Sequence, residues 1–542
     1  MREWFKSGTP WIWLNAGAIS IALVAVFGLL GLIMVRGMSH FWPAEVYQFA
    51  LENNSTLIAE MVETETVAAG SVPGIDISSG EVKRYLVKTG NRDLLGSDFR
   101  WLLDKDISKR ETPPELMVLE RIEWGNMYGY LVAVQEQGST VAEAEAAWSE
   151  FQQRLERVLD LRDEITSLER DDIGAINYAI ERLRLKQRRL ELDNEATAEA
   201  LAKIDNERKA YDAEYAALQK ILVELYSEIN RDAITVRVMD GSEIEVGLHK
   251  IVNAWQPNKM SMLDKVGFYF HSLWSFITDD PREANTEGGI FPAIFGTVMM
   301  VLLMSVMVTP FGVIAAVYLR EYARQGVLIR IIRIAVNNLA GVPSIVYGVF
   351  GLGFFVYFLG GNIDALFFPE ASPAPTFGTP GLLWSSLTLA ILTLPVVIVA
   401  TEEGLARIPR SLREGSLALG ATRAETLWRV VLPMSSPAIM TGLILAVARA
   451  AGEVAPLMLV GVVKLAPSLP VDGNFPFIHL DRKFMHLGFH IYDVGFQSPN
   501  VEAARPLVYA TAFLLVVVII ALNLSAISLR NRLREKYRAL DN

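Results

Sequence analysis

Long apolar runs alternate with polar segments along the 542-residue chain. The runs cover approximately residues 13–35, 291–317, 334–359, 382–401, 438–462 and 507–529. Because a helix of about 20 residues can cross the apolar core of a bilayer, this pattern predicts an all-α polytopic membrane protein with six transmembrane helices. Basic residues precede the first run, as in a signal peptide. The first run is nevertheless predicted to be a retained transmembrane helix, because it is long, lacks a small-residue cleavage motif and ends at Arg36.

Residues 37–285, between the first two runs, contain no apolar run that is long enough to span the membrane. We therefore expect these residues to form a water-exposed domain. Apolar residues recur there mainly at three- and four-residue spacing, in one set at Trp148, Phe151, Leu155, Val158 and Ile165, and in another at Ile204, Tyr211, Tyr215, Leu218, Leu222, Leu225 and Ile229. This periodicity predicts two antiparallel helices that form a long coiled-coil arm. Thr140 and Glu143 have capping-box spacing before the first helix. The reversal is expected near 172–174 or near 193–194.

Strand patterns flank the predicted arm, at 116–123 and 128–134 before it and at 233–238 and 244–248 after it. Asp240-Gly241 between the last two is a strong signal for a tight β-hairpin. The domain is therefore expected to be α+β. A heptad pattern predicts helix packing but does not identify the packing partner. An arm that packs only on itself is therefore favoured, and an arm that binds a partner protein is the alternative.

Charge is unevenly distributed between these parts. The chain has 50 Lys and Arg against 61 Asp and Glu, a formal net charge of −11, and residues 41–285 alone hold 45 acidic and 28 basic side chains. The overall acidity argues against nucleic acid as a partner. The chain contains no cysteine, which excludes a disulfide framework, a thiolate metal site and a cysteine nucleophile.

Basic residues are concentrated in one set of alternating connections. They are Arg2 and Lys6, then Arg320, Arg324, Arg330 and Arg333, then Arg407, Arg410, Arg413, Arg423 and Arg429, and finally Arg530, Arg532, Arg534, Lys536 and Arg538. Because short cytoplasmic connections are rich in Lys and Arg, both termini are predicted to be cytoplasmic. The predicted division is a tail and first helix (1–36), an external domain (37–285), a core with five helices (286–530) and a basic tail (531–542).

The connection between the fourth and fifth helices, residues 402–437, carries the most specific motif. Seven positions reproduce the spacing E-A-A-x3-G-x9-I-x-L-P, namely Glu414, Gly415, Ser416, Gly420, Val430, Leu432 and Pro433. The spacing predicts a helix over 411–418 that ends at Gly420, a second helix over 423–430, and a membrane helix that starts at Pro437. An amphipathic connection held on the inner leaflet by Arg407, Arg410 and Arg413 is the alternative.

This motif resembles the cytoplasmic loop of ABC importer permeases, with Gly415 and Ser416 in place of the usual two alanines. Residues 288–462 more widely resemble the A-type permeases of bacterial phosphate importers. The resemblance implies an inner-membrane subunit that works with a second related permease, a dimeric ATPase and a periplasmic phosphate-binding protein. Residues 37–285, placed outside by the charge pattern, would then be periplasmic. They depart from the shorter members of the family and look like the N-terminal extension that some members carry.

The chain lacks the G-x-x-x-x-G-K-[ST] pattern of a phosphate-binding loop. We therefore expect no enzymatic activity and no cofactor on this chain, with ATP and Mg on the partner ATPase. The substrate rests on the resemblance alone. A permease for sulfate, molybdate or phosphonate, and a membrane receptor or scaffold that no longer transports, are the alternatives.

Two pairs of polar residues are candidates for the translocation path. Arg449 is expected about 18 Å into the fifth helix, at roughly 1.5 Å per residue beyond Pro437, and Glu453 follows one turn later. A buried arginine there is costly unless it is paired or faces water, so the pair either serves a passing anion or is a structural ion pair. Asn337 and Asn338 are expected to begin the third helix, where packing is favoured over pore lining.

Small and polar residues continue that start of the third helix, at Gly341, Pro343, Ser344, Tyr347, Gly348, Gly351 and Gly353. Glycine at such spacing lets membrane helices approach closely. Three histidines, His479, His486 and His490, cluster in the last external connection, and the last two have i, i+4 spacing. No zinc signature accompanies them. No metal site is therefore predicted, and a short interfacial helix is favoured.

Overall fold

The apolar runs form helices in the computed structural model, which describes residues 6–68, 81–498 and 501–538. Within these ranges, six helices are long and apolar enough to cross a membrane. They are Thr9–Phe41, Phe291–Tyr322, Ser344–Phe367, Leu382–Arg407, Arg423–Gly452 and Arg505–Arg532, called here the first to sixth membrane helices. The predicted number of spans is thus confirmed by length and composition. Arg2 and the last residues of the basic tail, 539–542, lie outside the described residues.

The third and fifth membrane helices have different limits from those predicted. Residues 327–339 form a separate amphipathic helix, Val327–Leu339, and the third membrane helix begins only at Ser344, after Pro343. The fifth ends at Gly452, followed by extended backbone at Glu453 and a short helix, Leu457–Val460. Proline lacks a backbone N–H and disfavours helical backbone in the residue before it, so Pro343 and Pro456 mark both breaks.

The second, fourth and fifth membrane helices pack around one apolar core. This core includes Met300 and Met304 from the second helix, Leu389 and Val397 from the fourth, and Ala446 and Ala450 from the fifth. Small residues allow the close approach, because a Cβ added at Gly442 would lie 2.7 Å from the Cβ of Ala400. The first membrane helix instead packs on the sixth near Gly37 and Ala510, and most of its other side chains are exposed.

Residues 42–290, called here the large domain, contain antiparallel sheets. The strands are Val46–Leu51 (β1), Thr56–Ala68 (β2), Glu81–Lys88 (β3), Phe99–Leu103 (β4), Ile107–Glu111 (β5), Met117–Arg121 (β6), Met127–Glu136 (β7), Ser139–Glu143 (β8), Asp232–Arg237 (β9), Glu243–Gly247 (β10), Ile251–Trp255 (β11), Pro281–Arg282 (β12) and Glu287–Gly288 (β13). Among the described residues, the first sheet has strand order β4-β3-β2-β1-β5 and the second β10-β9-β7-β6-β11, with β8 paired to β7. A third, two-stranded sheet pairs β12 with β13.

The four predicted strands correspond to β6, β7, β9 and β10, and the hairpin at Asp240-Gly241 joins β9 to β10 as expected. Gly241 has a φ of 84°, a conformation that glycine adopts without strain. The prediction that Thr140 and Glu143 cap a helix is wrong. Both lie in β8, where Glu143 pairs with Ala133 of β7, and the helix starts at Glu145.

A helical hairpin, called here the arm, occupies residues 145–229. Its first leg runs through Glu145–Ser167, a π-helical turn at Leu168–Ile173, and Gly174–Leu192. Its second leg is Ala198–Ile229, with Thr197 as N-cap. The reversal therefore lies near 193–194, and the alternative at 172–174 is wrong because that segment stays helical. Phe151, Leu155 and Val158 pack the base of the arm on the second sheet.

Shorter helices complete the chain. They are Arg92–Leu95, Met262–Thr278, Arg410–Ala418 and Leu487–Tyr492. The helix Met262–Thr278 lies in the large domain, after β11 and before the second membrane helix. The helix Arg410–Ala418 lies in the connection that carries the sequence motif.

Candidate functional site

The motif-bearing connection folds as two helices joined by a tight turn, called here the 410–431 hairpin. The first helix, Arg410–Ala418, ends two residues before Gly420, whose φ is 90°. The Gly420 N–H donates to the Leu417 carbonyl at 3.0 Å and the Ala421 N–H donates to that of Ser416 at 3.3 Å. A glycine in this region of φ relieves the clash that a Cβ would cause. The predicted helix stop at Gly420 is therefore present.

A capping box begins the second helix at once. Thr422 Oγ1 accepts a hydrogen bond from the Glu425 N–H at 3.2 Å, and the Thr422 N–H donates to Glu425 Oε2 at 2.9 Å. Thr422 and Glu425 were missed as site residues, although their T-x-x-E spacing is a readable helix-start pattern. Ser416 Oγ and Thr426 Oγ1 lie 2.9 Å apart and join the two helices.

The second helix of the hairpin continues without a break into the fifth membrane helix, from Arg423 to Gly452. The expected interruption between Pro433 and Pro437 is wrong. Pro433 lies at the start of the α-helical stretch Leu432–Gly452, and Pro437 lies within it. Freed backbone groups near a proline can be satisfied locally in a membrane helix. A force on the hairpin would therefore be carried along one continuous helix.

An ion pair anchors the first helix of the hairpin to the second membrane helix. Arg413 Nη2 donates to Glu321 Oε1 at 2.9 Å and to the Leu405 carbonyl at 2.8 Å. The partners Glu321 and Arg413 are 92 residues apart, so no local pattern in the sequence signals this contact. The hairpin is thus attached both to the second helix and to the fifth.

The motif residues divide between an exposed surface and the base of the hairpin. Glu414 and Gly415 are exposed, whereas Val430, Leu432 and Pro433 are partly buried. Next to the motif, Leu419 and Trp428 expose 91% and 72% of their surface. Large apolar side chains that are exposed beside charged ones are typical of a protein-binding surface.

Arg449 and Glu453 are paired at the end of the fifth membrane helix. Arg449 Nε lies 3.5 Å from Glu453 Oε1, with 31% and 19% of the side chains exposed. Arg449 lies on the same helix as Pro437, as expected, but in its last turn, and Glu453 lies just beyond the end with extended backbone. The expectation that Glu453 continues the fifth helix is therefore wrong.

Asn337 and Asn338 do not begin the third membrane helix. They lie in the last turn of the amphipathic helix Val327–Leu339, and both are exposed. Tyr347 in the third membrane helix donates a hydrogen bond from its hydroxyl to the Leu339 carbonyl at 2.7 Å. This contact holds the amphipathic helix against the start of the span. The asparagines and the Arg449 pair therefore lie on different elements.

Only part of the glycine pattern at this helix corresponds to close packing. A Cβ added at Gly348 would meet the Pro456 backbone at 2.7 Å, and one added at Gly351 would meet Thr388 Oγ1 at 2.3 Å. Positions 341 and 353 are less constrained. The tight contact at Gly348 places the broken end of the fifth helix against the third.

The three histidines separate into two environments. His479 Nε2 lies 2.9 Å from Asp472 Oδ1. Partial burial opposes ionisation of Asp472, but hydrogen bonds from the Asn474 N–H, His479 and Arg482 lower its pKa to about 2. His486 caps the short helix Leu487–Tyr492, and its Nδ1 accepts from the Gly488 N–H at 3.1 Å. Burial lowers the pKa of His486 to about 4, so this ring is neutral at pH 7.

The arm contacts two connections between membrane helices. The Tyr178 hydroxyl donates to the Phe475 carbonyl at 2.6 Å, and the Arg182 guanidinium lies 6.0 Å from the centre of the Phe475 ring. Arg189 lies 3.6 Å from Glu370 in the connection after the third membrane helix. The large domain and these two connections therefore lie on one side of the membrane helices.

A family model describes the same region of the chain. The model of the binding-protein-dependent transport system inner membrane component matches residues 308–539, which include the 410–431 hairpin. The chain belongs to this family. The resemblance seen in the sequence is confirmed at this level.

Within the family, relatives with a phosphate-related name are similar to this chain. The phosphate transport system permease protein PstA of Mycobacterium leprae is 35% identical over 219 residues, 40% of this chain and 66% of that protein. PstA 1 of Mycobacterium tuberculosis strain CDC 1551 / Oshkosh is 32% identical over 268 residues, 49% of this chain and 76% of that protein. The first match thus spans just under two thirds of its relative, and the second about three quarters.

A solved structure of the MetNI methionine ABC transporter, in an inward-facing conformation, also aligns with the chain. It is 18% identical, covers 44% of this chain and 94% of the aligned chain, and has a TM-score of 0.34.

Proposed function

We propose that this chain is the membrane-spanning permease subunit of an ATP-driven importer of inorganic phosphate. The observation that carries the proposal is the exposed 410–431 hairpin, which continues into the fifth membrane helix in a chain that is 32% identical to PstA 1 over 268 residues. The chain would form the translocation path with a second related permease. It would carry no catalytic group and bind no cofactor itself.

The 410–431 hairpin is the proposed binding surface for a separate, dimeric ATPase that binds ATP and Mg. Leu419 and Trp428 offer apolar anchors, and Glu414 offers a charge beside them. Exposed apolar side chains of this kind stabilise a complex when they are buried in a groove of the partner protein. Since the second hairpin helix continues into the membrane helix, movement of the ATPase would shift the fifth helix and its last turn.

That last turn carries the proposed anion-handling group. Arg449 is partly exposed and paired with Glu453 at 3.5 Å. A positive charge that is already paired can attract a passing oxyanion without holding it permanently, because Glu453 competes for the same guanidinium. Asn337 and Asn338 are exposed on a neighbouring element and are proposed as further contacts on the path.

The orientation follows from combining charge with geometry. The basic connections favour cytoplasmic termini and a cytoplasmic hairpin in the bacterial inner membrane. Contacts of Tyr178 and Arg189 with the 475 and 370 regions then support a periplasmic large domain. There, a phosphate-binding protein would deliver the substrate. Labelling tests this topology, since an impermeant thiol reagent should modify Ala213→Cys, but not Leu419→Cys, in intact spheroplasts of this cysteine-free protein.

Substrate identity requires its own experiment. The chain, its second permease and its ATPase would be reconstituted in vesicles, with ATP enclosed on the ATPase side and the binding protein outside. ATP-dependent uptake of labelled phosphate should be reduced strongly by excess unlabelled phosphate and little by sulfate, molybdate or phosphonate. If sulfate, molybdate or phosphonate blocked the uptake instead, that ion would be assigned as the substrate. Absence of ATP-dependent uptake of any of them would favour a receptor or scaffold.

A further inference from the structure

The helix Met262–Thr278 has two different apolar faces. Ser261 caps its start, with the Ser261 hydroxyl accepting from the Asp264 N–H at 3.3 Å and the Ser261 N–H donating to the Asp264 carboxylate at 3.0 Å. The helix is the last one of the large domain before the second membrane helix. Its amphipathic pattern was not recognised in the sequence, where residues 37–285 were assigned entirely to a water-exposed domain.

One apolar face packs on the ends of two membrane helices. Phe276 lies 5.0 Å, centroid to centroid, from Phe41 at the end of the first membrane helix, and Tyr269 lies 6.5 Å from the same ring. The same cluster contains Ile290 and Ala293 at the start of the second membrane helix. This contact places the helix Met262–Thr278 at the level where the membrane helices end.

The other apolar face is exposed. Its side chains are Met262, Leu263, Val266, Phe270 and Trp274, of which Leu263 exposes 84% and Trp274 66%. At about 100° per residue, these five positions fall within an arc of roughly 120°. Asp264, His271 and Thr278 are also exposed and lie together at one edge of that arc. The exposed surface thus changes from apolar to polar around the helix, which is typical of a helix at a membrane–water interface.

The exposed apolar arc adjoins the surface of the first membrane helix. Trp42 follows that helix and lies 6.0 Å from Tyr269. Within the described residues, most of the side chains of the first membrane helix are exposed, and in a membrane protein they face lipid chains. Tryptophan and tyrosine are enriched where membrane helices meet the headgroups. Trp42, Tyr269 and Trp274 are residues of this type near the end of the first membrane helix.

We propose that the helix Met262–Thr278 lies in the plane of the membrane surface, with Val266, Phe270 and Trp274 inserted among the lipids. The large domain is then attached to the bilayer as well as to the membrane helices. A second protein is a less suitable occupant, because the apolar arc is continuous with a lipid-facing helix and His271 and Asp264 border it on the water side. The inference holds whichever side the domain faces.

Fluorescence quenching in the full-length chain tests this assignment. Single cysteines replace Phe270, Val266 or His271 in the cysteine-free protein, and each is labelled with a small environment-sensitive fluorophore. The labelled chains are placed in lipid nanodiscs with and without a nitroxide lipid whose label lies just below the headgroups. His271→Cys is the matched control, since it is exposed on the same helix but at its polar edge.

The probes at 266 and 270 should lose most of their fluorescence with the nitroxide lipid and shift to the blue, whereas the probe at 271 should be quenched mainly by aqueous iodide. Iodide quenching of the probes at 266 and 270 without lipid quenching would overturn the proposal. Equal lipid quenching at all three positions would also overturn it. So would lipid quenching that disappears when the second permease and the ATPase assemble, because a protein would then cover the face.

Discussion

Gly420 permits a sharp test of the hairpin, because the cost of replacing it arises from the backbone alone. Its φ is 90°, and a Cβ built on it meets no atom within 4 Å among the described residues. An L-residue in left-handed backbone costs roughly 1–2 kcal/mol. Gly420→Ala should therefore leave the membrane helices folded and reduce the population of the closed turn about 5–30-fold relative to open forms.

The matched control is Gly415→Ala, five residues earlier in the same hairpin. Gly415 lies inside the helix Arg410–Ala418, and a Cβ there also meets nothing within 4 Å in the described structure. Alanine is about 0.5–1 kcal/mol better than glycine inside a helix, and alanine is the residue that the family motif most often has at this position. Gly415→Ala should therefore retain or slightly improve coupling.

Titration of the ATPase measures the difference. Vesicles that contain the chain and its second permease are formed with increasing amounts of the ATPase and with ATP inside. The binding protein is added outside, and phosphate uptake is recorded at each amount of ATPase. Gly420→Ala should shift the half-maximal amount upwards by up to about 5–30-fold, the limit set by the change in the closed-to-open ratio of the turn, while Gly415→Ala should match the wild type. If the two variants had the same half-maximal amount of ATPase, whether changed or unchanged from the wild type, the reasoning that the turn geometry at Gly420 presents the ATPase contact would be refuted.

Three further predictions concern other parts of the chain. Arg449→Gln should destabilise the chain by roughly 1–3 kcal/mol by leaving Glu453 unpaired, and Glu453→Gln in the same background should restore the melting temperature but not phosphate uptake. Tyr178→Phe should lose the hydrogen bond to Phe475, worth about 0.5–1.5 kcal/mol, and speed hydrogen exchange in residues 174–192. Burial lowers the pKa of His486 to about 4 in the folded chain. Stability should therefore fall from pH 6.5 to pH 4, by up to about 3 kcal/mol for this group.

Each of these predictions has a control and a result that would contradict it. Near wild-type uptake by the Arg449 and Glu453 double variant would make the pair purely structural. Tyr226→Phe removes the hydrogen bond to Glu169 inside the arm, so faster exchange confined to that variant would show that the Phe475 contact is not formed. His486→Asn keeps a capping acceptor and should flatten the pH profile of thermal unfolding. An unchanged profile would rule out His486 as its cause.

The membrane spans could be predicted because their apolar runs are long, but their ends could not. Proline gives an ambiguous signal in this chain. Pro343 and Pro456 lie at helix breaks, whereas Pro310, Pro395 and Pro437 lie inside membrane helices. Whether a helix continues through a proline depends on neighbouring groups that satisfy its backbone, and these come from other parts of the chain. Glu453 and Asn337 lie outside their expected helices for this reason.

The hairpin was more predictable than the large domain because its signals are local. Gly420 alone marks the turn, and the motif spacing gives both helices. In the large domain, β8 was taken for a helix start because Thr140 and Glu143 satisfy a local capping pattern, yet pairing with Ala133 of β7 determines the strand. The first sheet, built from β1 to β5, was not predicted. Strand pairing depends on partners distant in sequence, such as Gln48 with Glu111, which local patterns do not specify.

The most direct test of the central claim compares wild type with Glu414→Lys in vesicles that contain the second permease and the ATPase, with ATP enclosed and the binding protein outside. Glu414 is exposed on the first hairpin helix, so the variant should fold and insert normally. The wild type should take up phosphate only when ATP reaches the ATPase, and the variant should bind and hydrolyse ATP in the complex without uptake. Uptake by Glu414→Lys at the wild-type rate, or wild-type uptake without the ATPase, would contradict the assignment of this chain as an ATPase-coupled phosphate permease.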